Sequence, residues 1–235
     1  MRKWETRGLW SAALLAGWAG VIWFLLASGR WALYLSSRTL WVLPVGAAVL
    51  TAGAIGRVLL ARSRPPRPLT VRDTWTLGLL AVPLVVILAL PPTTLGTYAV
   101  SRRSSFASVT GYLSARDVSS GSAPTLLDVA AAQDSPDLMR ALSRRAGEQV
   151  TFVGFVQRDT NAPSDEFQLT RFVITCCIPD ALLVQVRVVD APPGKFSPNE
   201  WVQVSGSLYP VGSEVILDAQ QVKAVARPRQ PYLYP

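Results

Sequence analysis

LWSAALLAGWAGVIWFLLAS, residues 9–28, has no charged side chain and is long enough to cross the roughly 30 Å hydrocarbon layer of a bilayer. Arg2, Lys3 and Arg7 precede it, as basic residues precede the core of a secretory signal peptide. No small-residue cleavage site follows and two more apolar runs do, so the run reads as a retained span. The second run, 39–61, is apolar except for Arg57, close enough to its end to snorkel to the headgroups. The third, 75–95, contains Pro83 and reaches full length only by drawing on apolar residues through Leu95. Residues 1–96 are therefore expected to form a transmembrane region of about three helices in contact with membrane lipid.

Charge sets the orientation and excludes one class of function. Residues 1–116 hold thirteen Lys/Arg against two acids, Glu5 and Asp73, whereas residues 117–235 hold ten against thirteen. The basic excess thus belongs to the apolar half, where the positive-inside rule accounts for it, and no nucleic-acid partner is expected. Arg2, Lys3 and Arg7 before the first span, with Arg62, Arg64, Arg67 and Arg72 after the second, outnumber Arg30 and Arg38 in the loop between. That bias places the N-terminus in the cytoplasm and the C-terminal half across the membrane, with Arg102 and Arg103 as the opposing signal. The spans contain no Asp, Glu, Lys or His, so they do not form an ion or proton path alone. Ala48, Ala52 and Gly56 form a four-residue stripe of small side chains that suits close helix packing, within the chain or against a partner.

Beyond the spans, residues 97–125 form a serine-rich linker, with eight serines between Ser101 and Ser122. Two short helices are expected next, one around Leu126, Leu127, Val129 and Ala130. The other is capped by Ser135-Pro136-Asp137 and ended by Gly147. The period then changes to two, giving strands over 148–157, 167–177, 182–189, 200–208 and 214–219. Five short strands in this length fit a small barrel of the oligonucleotide/oligosaccharide-binding (OB) type. The expected fold is therefore an α+β membrane protein, with transmembrane helices followed by an extracytoplasmic, mostly-β OB-like domain over 126–226. The Pro/aromatic tail, 227–235, straps back over the barrel or meets a partner.

One segment carries candidate chemistry: RFVITCCIPD, residues 171–180, with both cysteines of the chain, Cys176 and Cys177, side by side. On a straight strand Phe167, Leu169, Arg171 and Val173 share one face, with Phe172, Ile174 and Cys176 on the other. Arg171 among apolar residues needs a partner, and Asp180 is expected to supply a salt bridge that pins the turn. Adjacent cysteines on a strand point apart, and cannot hold one metal without a bend. Their Cα atoms are about 3.8 Å apart, below the usual disulfide range of about 4.4–6.8 Å. Three states are open to the pair: packed reduced thiols, a strained and reducible disulfide, or a thiolate metal site. Asp180 or a partner chain would complete the last, and zinc suits soft ligands, although the chain has no histidine to add.

Read in order, LPPTTLG (90–96), VTFVGFV (150–156), RFVITCCIPDA (171–181), WVQVSG (201–206) and PYLYP (231–235) resemble a bacterial family of permease-associated membrane proteins, the YcgQ-like proteins. The specific part is the cysteine core with Arg171, Phe172 and Asp180. Family members are encoded beside a predicted multi-span permease, and some are linked to zinc homeostasis. The resemblance implies a multi-pass protein of the bacterial plasma membrane, an accessory permease subunit with an exported domain. The family's loop histidines have no counterpart here. The resulting expectation is a non-enzymatic, transport-associated subunit presenting Cys176, Cys177 and Asp180, with metal-ion homeostasis as the setting. Its rivals are a membrane-anchored thiol redox protein, for which CxxC would be the usual spacing, and a cell-envelope module whose barrel binds peptide or glycan.

Overall fold

A computed structural model describes residues 6–63, 70–89, 94–103, 105, 123–159 and 161–234. The chain divides into two compact units, Met1–Thr93 and Thr94–Pro235. In the first, α1 (Thr6–Ala27), α2 (Val42–Ser63) and α3 (Val71–Ala89) are each long and apolar enough to cross a membrane. Helices α1 and α2 meet through small side chains. Ala12 and Ala19 are buried on α1, and Ala47, Ala54 and Ala61 recur every seven residues on α2. Small residues at such a seam let backbones approach closely, the main source of helix association where lipid is as apolar as the helix. Ala48 and Ala52 are exposed, so the stripe they form with Gly56 is not the seam with α1.

Among the described residues, several polar groups of this unit are paired. The Trp18 indole donates to the Leu80 carbonyl, the Trp23 indole donates to the Thr51 hydroxyl, and Arg7 meets Asp73 at 3.1 Å. Helix α3 starts earlier than its apolar run, because Thr70 and Asp73 cap it: the Asp73 carboxylate accepts from the Thr70 N–H and hydroxyl. It ends at Ala89. Leu95, assigned from sequence to the tail of this span, belongs instead to the second unit, where its N–H donates to the Tyr232 hydroxyl.

The second unit is a closed five-stranded barrel, as the alternating pattern predicts. Its strands are β1 (Gln149–Gln157), β2 (Phe167–Val173), β3 (Leu182–Val189), β4 (Trp201–Val211) and β5 (Glu214–Ala224), ordered β1-β2-β3-β5-β4 and closing on β1. All pairs are antiparallel except β3 with β5. Phe152, Val156, Leu169, Val186, Val204 and Leu217 fill the interior. At roughly 25 cal/mol per Å2 of apolar surface, this burial is the main stabilising term of the unit. A bulge between Ser205 and Gly206 bends β4, and a Cβ at Gly206 would run into the Asp218 carbonyl, so only glycine fits there.

Short helices pack against the barrel. Helix α4 (Thr97–Val100) buries Val100, while α5 (Leu126–Ala132) and α6 (Pro136–Ser143) bury Val129 and Leu142 in the main core. Thr125 and Asp128 form a capping box on α5, and the Ser135 hydroxyl accepts from the Leu138 N–H at the start of α6. Gly147 takes the left-handed conformation, φ +83°, and donates to the Leu208 carbonyl. Residues 104 and 106–122, most of the serine-rich stretch, lie outside the described residues.

A candidate thiol and carboxylate site

Strand β2 stops at Val173 rather than running through the cysteines. The reason is Asp180. Its carboxylate accepts the N–H groups of Thr175 at 3.1 Å, Cys176 at 2.7 Å and Cys177 at 3.5 Å. Three consecutive donors converging on one acceptor curl the chain out of the ladder. Pro179, with φ preset, seats the 3-10 turn Ile178–Asp180, for which Cys177 is the N-cap. Ile174 and Ala181, both buried, anchor the two ends of the bend.

The bend removes the geometric objection to adjacent cysteines. Both sulfurs now lie together, Sγ to Sγ 3.2 Å, without a disulfide between them, with Cys176 exposed and Cys177 half-buried. The ligand atoms of Cys176, Cys177 and Asp180 all lie within 4.8 Å of one another. Two thiolates on a tetrahedral zinc stand about 3.8 Å apart, so a small opening of the pair admits the ion. Three donors leave a fourth position for water or a partner's ligand, as in open sites, whereas closed structural sites supply four.

Electrostatics keep the Cys176 thiol protonated in the absence of an ion. The Cys176 thiol is pushed up to about 12, first by its hydrogen bond to the Asp180 carboxylate and then by Cys177. Burial works to raise Asp180, but the bonds from the Cys176 thiol and from the three backbone N–H groups outweigh it and leave the carboxyl below its usual value. The thiol at Cys176 is thus a weak nucleophile and a proton-releasing ligand.

Arg171 does not pair with Asp180. Its guanidinium donates to the carbonyls of Gln230 at 2.9 Å and Pro231 at 3.2 Å, and lies 5.8 Å from the Trp201 ring centroid. The expected salt bridge fails because Asp180 is already committed to the backbone of its own bend. Burial pulls the Arg171 guanidinium below its ordinary value, with Tyr234 opposing. Phe172 is also structural: it stacks on Phe155, centroids 5.9 Å apart, in a second cluster with Ile174 and Tyr232. The tail therefore straps back, with the Leu233 N–H donating to the Phe172 carbonyl and the Ile174 N–H to the Leu233 carbonyl.

Two participants carry no local sequence signal. Arg103 donates to the Pro179 carbonyl at 2.5 Å, which ties the segment after the spans to the cysteine turn. Ser105 bridges to Leu183 beside it. In sequence Arg103 reads only as a loop charge. Tyr232, 3% exposed, shows as one of several tail aromatics until the fold buries it.

No curated protein matches this chain. Residues 135–235, which take in α6, the whole barrel, the cysteine bend and the tail strap, match the family model described as the DUF1980 C-terminal domain.

Proposed function

We propose that this chain is a non-enzymatic accessory subunit of a multi-span permease in the bacterial plasma membrane. Its N-terminus faces the cytoplasm, and its exported barrel receives a soft divalent metal ion, zinc by donor type, as cargo at Cys176, Cys177 and Asp180. The observation that carries this reading is the gathering of two thiols and one carboxylate within 4.8 Å on a partly exposed bend. Three apolar helices and the domain match over 135–235 support a membrane accessory protein. The resemblance to YcgQ-like proteins supplies the permease and metal-homeostasis setting.

An open three-donor site suits reception and release better than permanent structural binding. The Cys176 thiol, held near 12, is a weak nucleophile at neutral pH, which weighs against the thiol redox alternative. Co-purification from mild detergent tests the partnership. The permease encoded next to this chain is expected to accompany it, and its consistent absence removes the subunit reading. Labelling intact cells with a membrane-impermeant thiol reagent tests orientation: the cysteine pair is expected to react before lysis, and reaction only afterwards reverses the topology.

A further inference from the structure

Away from the cysteine bend, the barrel carries a polar groove with two adjoining lobes of about 320 and 290 Å3, both walled by Asp159, Gln168, Arg187 and Glu214. The lobes lie where β2 and β3 meet the β1–β2 loop and the β4–β5 turn, the region where OB barrels take oligonucleotides and oligosaccharides. Strand pairing sets Gln157 opposite Gln168, and Gln168 opposite Arg187, as one polar row across three strands. Gln185 stands beside the row, opposite Thr170.

We propose that this groove is a binding site for a neutral, hydroxyl-rich saccharide. Part of its hydrogen-bonding capacity is fixed and part is unspent. Arg187 is clamped by Glu166 at 2.6 Å and Glu214 at 3.5 Å, which holds its guanidinium plane. Gln185 donates to the Gln157 side-chain oxygen and to the Thr170 hydroxyl. Among the described residues, the half-buried Gln168 side chain bonds to no protein group, and the Gln185 side-chain oxygen accepts from none. Unspent amides beside a fixed guanidinium offer the paired donors and acceptors that vicinal hydroxyls need.

The other ligand classes of such barrels fit less well. Three carboxylates against one guanidinium repel a phosphate backbone, and among the described lining residues the one aromatic ring, Phe167, is buried and offers no face for base stacking. A peptide adding as a strand needs a free sheet edge, whereas at the groove Gln168 is paired on both sides, with Gln157 and Arg187, and Arg187 likewise, with Gln168 and Ile216. Glu166 and Glu214 are engaged by Arg187, which leaves Asp159 alone for a cation.

The test uses the full chain in lipid nanodiscs free of sugar-based detergent, with tri-N-acetylchitotriose and cellotriose as probes and saturation-transfer NMR as the readout. At least one trisaccharide is expected to bind, equally well in a Cys176→Ser/Cys177→Ser variant. Gln168→Leu is expected to weaken binding about tenfold, or about 1.4 kcal/mol, with an unchanged thermal midpoint. Gln168→Glu, close in size, gives the same readout should the leucine variant unfold. The proposal is overturned if neither trisaccharide binds, if the Gln168 variants bind like the parent, or if a single-stranded DNA oligomer or a short peptide occupies the groove instead.

Discussion

The Asp180 carboxylate lies 2.7 Å from the amide nitrogen of Cys176, and that contact, with its neighbours at Thr175 and Cys177, turns two adjacent cysteines to one side. Asp180→Ala strands three N–H groups and is expected to cost about 2 kcal/mol, in the range for bonds to a charged acceptor. A lower thermal midpoint and a wider reach for sulfur cross-linkers would show it. Asp180→Asn, which keeps one acceptor oxygen, is expected to lose less.

The same carboxylate makes the site acid-sensitive. Its folded value is depressed, so its stabilising effect is complete above the unfolded carboxylate value of about 4 and is lost as the pH falls through the lower folded value. Thermal midpoints of the parent and of Asp180→Asn are expected to converge as the pH drops below about 4. A gap that stays constant down to strong acid contradicts this.

Thiol reactivity follows the opposite sign. With Cys176 held near 12, alkylation by iodoacetamide in a Cys177→Ser variant is expected to stay slow from neutral pH to beyond the ordinary thiol range and then to rise. Adding Asp180→Ala removes the largest cause of the shift and is expected to bring the profile back toward about 8.5. Matching profiles with and without Asp180 contradict the assignment.

Arg171 and Tyr232 hold the tail rather than the cysteines. Tyr232→Ala removes a buried ring and is expected to cost about 3 kcal/mol and to open the segment around Arg227–Arg229 to trypsin. Arg171→Ala is expected to give the same cleavage with a smaller loss of stability. Resistance of both variants to trypsin argues against the strap.

How much of this was legible before folding depends on the range of the interaction. Period-two alternation around Phe152, Leu169, Val186 and Val204 announced the strands, because side-chain alternation is a local property of the pleat. The two cysteines and Asp180 were legible as a group because they are close in the chain. The end of β2 was not: Phe167–Cys177 reads as a single strand until Asp180 takes its amides. Arg171 was mispaired because its true partners are carbonyls some sixty residues away, at Gln230 and Pro231. Backbone acceptors carry no residue-type signature. Gln157, Gln168 and Gln185 meet only through strand register, which alternation alone does not fix.

Titration of the full chain with cadmium, followed through the ultraviolet cadmium–thiolate charge-transfer band, tests the three-donor site most directly. One ion per chain is expected, bound more tightly as the pH rises because the thiol protons must leave. The band should vanish in Cys176→Ser/Cys177→Ser, and binding should weaken in Asp180→Ala. A chain that gives no thiolate band, or one whose affinity is indifferent to Asp180, contradicts the site.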